Sequence, residues 1–113
     1  AIAAARGLGT KMVLATSVPA WADRLATLLH DAAGAVFTSV ARRPNVPSGT
    51  GDLLAGLFTG ALVSGSEPRT ALAYAGARLE MALQSTGPAD DLNLATLFEP
   101  EPKLIPLTIQ VAV

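Results

Sequence analysis

Apolar spacing along this chain changes from one stretch to the next, and each spacing predicts its own element. Met12-Val13-Leu14-Ala15 is a continuous apolar run of the kind buried on both faces of a parallel sheet. Residues 1–8 are rich in helix-forming Ala and are closed by Gly9, which predicts a helix feeding that strand. Thr16 and Ser17 follow the apolar run, at the C-terminal end of the expected strand, where open α/β sheets place their ligands.

Residues 25–40 admit two readings. Leu25, Thr27 and Leu29 alternate, as do Val36, Thr38 and Val40, and Asp31-Ala32-Ala33-Gly34 between them is turn material, so a hairpin is expected. The rival is a helix over residues 20–29, supported by Ala and Leu content but opposed by Pro19 and by the alternation.

The period then becomes helical. Leu53, Leu54, Leu57, Phe58, Ala61 and Leu62 share one broad face of a helix expected from about Thr50 to Ser64, with Gly65 as its stop. Gly56 and Gly60, a Gly-x-x-x-Gly pair, line a smaller side that would allow close backbone approach. Pro68 opens a second helix whose stripe runs through Ala71, Leu72, Ala75, Leu79, Ala82 and Leu83, and Gly87-Pro88 ends it. Tyr74 and Met81 sit beside that stripe as core or boundary residues. A proline-rich loop over residues 88–106, holding Asp90-Asp91 in a solvated turn, precedes a tail that alternates through Leu107, Ile109, Val111 and Val113. That alternation suggests a terminal strand, with Pro106 tolerated at an edge or a strand start.

Composition narrows the class. At 113 residues the chain is expected to be one domain. Half the residues are hydrophobic but only three Phe, one Tyr and one Trp are aromatic, so the core is built from Ala, Leu, Val and Ile. A net charge of −1 with no basic cluster beyond Arg42-Arg43 argues against a nucleic-acid partner. No apolar stretch approaches the roughly 20 residues of a membrane span. Cysteine is absent, which removes thiolate chemistry and fits a reducing compartment, so a cytoplasmic location is expected. His30 is alone and reads as a hairpin residue rather than a metal ligand, and no metal-ligating set is expected. Trp21 reads as a cover for an edge of the core.

The chemistry concentrates at Gly49-Thr50-Gly51-Asp52, directly ahead of the apolar helix. A glycine-rich turn opening a helix aims backbone N–H groups and the positive end of the helix dipole at one spot, the geometry that receives a phosphate. A carboxylate there would repel the phosphate, but it suits a base for a hydroxyl attacking that phosphate. The motif therefore reads as phosphoryl transfer. The plainer alternative is a loop and an acid that complements the helix dipole, worth about 0.3–1 kcal/mol.

These residues resemble the C-terminal part of the ribokinase-like superfamily, in particular the pyridoxal kinases, in which Gly-Thr-Gly-Asp opens a long apolar helix. Kinases of hydroxymethylpyrimidine are similar but tend to carry Cys at the place of Asp52, and the sugar kinases usually show Gly-Ala-Gly-Asp. The resemblance extends to Val13-Leu14-Ala15-Thr16-Ser17, a strand ending in Thr-Ser, then a hairpin and return strand. It implies an α/β, three-layer fold with a mostly parallel sheet, of which this chain would be the C-terminal portion. It implies Asp52 as the base that deprotonates the 5′-hydroxymethyl group of pyridoxal. The amides of Gly49, Thr50, Gly51 and Asp52 would form the anion hole for the γ-phosphoryl group of ATP, with Mg²⁺ and K⁺ as cofactors. Thr16 and Ser17 would lie near the phosphates and the monovalent cation, and the segment holding Arg43 and Val46 would border the nucleotide. Members of the family are well over twice as long, and their N-terminal part supplies most of the vitamin pocket. A homodimer, or completion by a missing N-terminal half, is therefore the expected partnership. The alternatives are an inactive fragment that binds nucleotide phosphate only, and a hydroxymethylpyrimidine or sugar kinase relative.

Overall fold

The computed structural model describes residues 2–43, 46, 49–84 and 109–111, and they fall into two compact units. The first, residues 1–42 with 108–113, holds the sheet; the second spans residues 43–107.

The first unit opens with helix α1, Ile2–Gly7, and turns at Gly9, whose φ of 70° is readily adopted only by glycine. Strands β1 (Val13–Pro19), β2 (Arg24–Asp31), β3 (Gly34–Ala41) and β4 (Gln110–Val111) follow, hydrogen-bonded in that order. The hairpin reading of residues 25–40 holds and the helix over residues 20–29 does not form. Leu25 faces Val40, Thr27 faces Thr38 and Leu29 faces Val36 across the ladder, which is the face the alternation marks out. Its turn is closed by the Ala33 N–H donating to Asp31 Oδ1 at 2.9 Å, and Gly34 takes a φ of 120°. Leu29 and Val36 are each only 1% exposed, while Ala26 and Leu28 are buried on the opposite face. A sheet buried on both faces explains why a simple in-and-out pattern is blurred here. His30 lies in β2, half-buried, and has no ligand set around it among the described residues. Trp21 is half exposed and meets Phe37 edge to face, centroids 5.8 Å apart, consistent with a cover over the sheet.

All pairings among the described residues are antiparallel, and β1, the edge strand of this stretch of sheet, pairs with β2. The connection between them, Ala20 to Asp23, is too short for the crossover of a dozen or more residues that parallel strands require. The tail strand is present as Gln110–Val111, paired with Phe37 and Val36 at the edge of the sheet.

The second unit carries two helices that pack on each other. Helix α2, Thr50–Val63, ends in a Schellman arrangement: the Gly65 N–H donates to the Leu62 carbonyl at 3.0 Å and the Ser66 N–H to the Ala61 carbonyl at 3.0 Å, with Gly65 at a φ of 100°. Helix α3, Pro68–Gln84, starts at the expected proline, and the Ala71 N–H donates to the Glu67 carbonyl at 2.8 Å. Leu54 and Phe58 of α2 are buried, as are Ala71, Leu72, Ala75 and Ala82 of α3 from the expected stripe. Leu53, Leu57, Ala61 and Leu62 are only half-buried, so the buried face of α2 is narrower than the sequence suggests.

The close approach expected at Gly56 and Gly60 is not found among the described residues. A Cβ at either position would meet nothing within 4 Å. Both glycines instead floor an open groove of about 560 Å³ whose other side carries Ser66, Tyr74 and Arg78. The reason is geometric: Gly56 and Gly60 lie two positions after Leu54 and Phe58, which turns them about 200° round the helix from the buried side. The helix-ending Gly87-Pro88, the proline-rich segment over residues 88–106 and the Asp90-Asp91 turn lie outside the described residues.

Candidate functional site

Gly49 occupies the N-cap of α2 with φ 87° and ψ 0°, the left-handed conformation, and no side chain caps the helix there. An L-residue in that conformation would cost roughly 1–2 kcal/mol, so glycine is the residue the turn needs. The first intrahelical bond is the Leu53 N–H donating to the Gly49 carbonyl at 2.9 Å. The amides of Gly51 and Asp52 therefore precede the helix's own ladder, in the turn where N–H groups have no intrahelical acceptor. Gly49, Gly51 and Asp52 are exposed, and Thr50 is half-buried.

Asp52 stands in the first turn of α2. Among the described residues its carboxylate makes no ion pair and accepts no side-chain hydrogen bond. An unengaged acid beside first-turn amides has a clear chemical capacity: such amides can hold an anion and the carboxylate can take a proton from a group brought next to it.

The other sequence-derived candidates are placed differently. Thr16 and Ser17 do not close a strand; they form a β-bulge within β1, which goes on pairing as far as Pro19 opposite Leu25. Ala15 faces Leu28 and Val18 faces Ala26, so Thr16 and Ser17 together oppose Thr27. Ser17 is exposed and sits at a φ of 56°, an uncommon conformation for a residue with a side chain. Bulges re-aim side chains locally and recur beside functional sites.

Arg43 has a partner of its own: its Nη2 donates to Glu80 Oε2 of α3 at 2.8 Å. Its neighbour Arg42 bonds within the first unit, its N–H to the Asp23 carbonyl at 2.8 Å and its guanidinium 3.6 Å from the exposed Asp23 carboxylate. Val46 is 45% exposed. The Arg43–Glu80 contact was not legible in the sequence, because nothing in a helical stripe 37 positions downstream of Arg43 marks Glu80 as that arginine's acceptor. No group of three or more metal-ligating side chains occurs among the described residues, and no described helix is long and apolar enough to cross a membrane.

No family model and no curated protein matches the sequence. Solved structures do match. A Bacteroides thetaiotaomicron protein assigned as a phosphomethylpyrimidine kinase superposes with a TM-score of 0.76 at 19% identity, over 96% of this chain and 41% of its own. Pyridoxal kinase from Staphylococcus aureus gives 0.72 at 16% identity, over 91% of this chain and 39% of its own. Pyridoxal kinase from Lactobacillus plantarum gives 0.62 at 29% identity, over 76% of this chain and 33% of its own. The chain has the ribokinase-like fold of the pyridoxal kinases. The chain spans about two fifths of the length of the first two proteins it matches. The α/β class expected from the sequence is thus upheld, although the pairings described for this stretch of the sheet are antiparallel.

Proposed function

We propose that the chain carries the phosphate-binding and base-bearing part of an ATP-dependent kinase whose substrate is pyridoxal or a closely related vitamer. The observation that carries this reading is the start of α2: a left-handed Gly49, amides ahead of the helical ladder, and an exposed Asp52 without a partner among the described residues. The likeness to kinases supports the same reaction class, and the S. aureus neighbour was solved with the ATP analogue AMP-PCP together with pyridoxal. The B. thetaiotaomicron neighbour was also solved with pyridoxal, which favours that substrate over a pyrimidine even though the protein is assigned to pyrimidine chemistry.

In the proposed reaction Asp52 accepts the proton of the 5′-hydroxymethyl group as its oxygen attacks the γ-phosphorus of ATP. The bond from that phosphorus to the β–γ bridging oxygen breaks, and ADP leaves with the electron pair. Negative charge grows on the transferring group, so amides of Gly49, Thr50, Gly51 and Asp52 held in place beforehand favour the transition state over the ground state. Thr16 and Ser17 are proposed to lie on the phosphate and K⁺ side, and Arg43 and Val46 to border the nucleotide. Because the chain spans only 41% of the first neighbour, the reading requires the vitamin pocket to be completed by further chain or by a partner molecule, a second copy included.

The test is ATP-dependent formation of pyridoxal 5′-phosphate by the purified chain with Mg²⁺ and K⁺, beside Asp52→Asn. Loss of turnover in the variant with nucleotide affinity retained supports Asp52 as the base. Equal turnover in both proteins removes it from the mechanism. A chain that binds AMP-PCP but turns over nothing is a nucleotide-binding portion of such an enzyme.

A further inference from the structure

Arg43, six positions ahead of Gly49, makes one short charge-assisted bond. Arg43, the first residue of the second unit, reaches Glu80 in the C-terminal half of α3, 2.8 Å from nitrogen to oxygen, with the glutamate side chain 18% exposed and the arginine 36%. Gly49 is held by the Leu53 N–H, the bond that begins α2. Only residues 44–48 separate Arg43 from Gly49. A partly buried, short arginine–carboxylate contact is worth more than an exposed pair, because water competes less for either partner. Glu80 itself sits on a helix held by the buried Ala75, Ala77 and Ala82, so the anchor is attached to a rigid element.

We propose that Glu80 is a positioning residue for the anion site: by holding Arg43, it fixes the approach of the chain to the left-handed Gly49 and so the aim of the Gly51 and Asp52 amides. The nucleotide part of this inference rests on the kinase reading above; the anchoring part does not. The same contact gives Arg43 a different task from the one its sequence position suggests. A guanidinium engaged by Glu80 acts first as a tether for the segment, not as a free phosphate ligand.

The two roles predict opposite signs. If Arg43 served phosphate directly, Glu80 would compete for it, and Glu80→Gln would release the guanidinium and tighten nucleotide binding. If Glu80 positions the turn, Glu80→Gln loosens it, and affinity for AMP-PCP falls about tenfold, in line with loss of one charge-assisted bond. The double variant Arg43→Glu/Glu80→Arg restores the pair with its charges exchanged and is expected to recover most of that loss; a direct phosphate contact would not recover. Hydrogen exchange without nucleotide supplies the independent reading. Faster exchange at the Leu53 amide, the one bonded to the Gly49 carbonyl, in Glu80→Gln, with α3 amides unchanged and the Leu53 effect reversed in the double variant, supports the anchor. Unchanged exchange at Leu53, or tighter AMP-PCP binding in Glu80→Gln, overturns it. A wild-type chain that binds no AMP-PCP while exchange responds as expected overturns the kinase reading and the nucleotide part, and leaves the anchor standing.

Discussion

The Leu53 N–H donates to the carbonyl of Gly49 at 2.9 Å while Gly49 itself holds a φ of 87°, so the first bond of α2 depends on a residue in a left-handed conformation. Helix start and proposed anion site are therefore one piece of backbone. Gly49→Ala is expected to destabilise the chain by about 1–2 kcal/mol, since a Cβ there meets no neighbour and the cost is the left-handed conformation alone. Urea denaturation measures that loss, and AMP-PCP titration is expected to show weaker binding. A variant as stable as the wild type would mean that the turn adopts another conformation in solution.

Gly56 and Gly60 lead to the reverse expectation. Both lie inside α2 with open space where a Cβ would be. Each Gly→Ala change is expected to stabilise the chain by about 0.5–1 kcal/mol, because alanine loses less backbone freedom in a helix. Thermal melting at several protein concentrations checks this. Destabilisation that depends on concentration would show that the groove they floor is covered by a second copy.

Ser17, at a φ of 56° in the β1 bulge, carries a conformational cost that glycine would not. Removing that strain outweighs the extra chain entropy of glycine, so Ser17→Gly is expected to raise stability by up to about 1 kcal/mol. If the hydroxyl also serves the nucleotide, as proposed, the more stable variant will bind AMP-PCP less tightly. Stability and affinity moving together would argue that Ser17 has only a structural task.

Where local chemistry decides an element, the sequence displayed it. The Leu25, Thr27, Leu29 and Val36, Thr38, Val40 alternation became a cross-strand ladder in the expected register, and Asp31 with Gly34 made its turn. Pro68 and Gly65 marked a helix start and a helix end because each acts through its own backbone. The Gly49 to Asp52 turn was legible for the same reason: left-handed glycine, helix start and first-turn acid are consecutive residues. Less could be read where a residue's role depends on a distant partner. An apolar run such as residues 12–15, which is only half-buried here, is silent about strand direction, which the short connection from Ala20 to Asp23 resolved.

By itself, then, the sequence determined the hairpin, the two long helices and the left-handed glycine turn that opens α2, since propensity, period and positive-φ glycine act over a few neighbouring residues. Tertiary structure alone decided that β1 pairs antiparallel, that Thr16 and Ser17 form a bulge, that Gly56 and Gly60 face open space, and that Arg43 meets Glu80. Each of these depends on which surfaces meet after the chain has folded back on itself, and contacts between residues far apart in the chain leave no periodic mark along it.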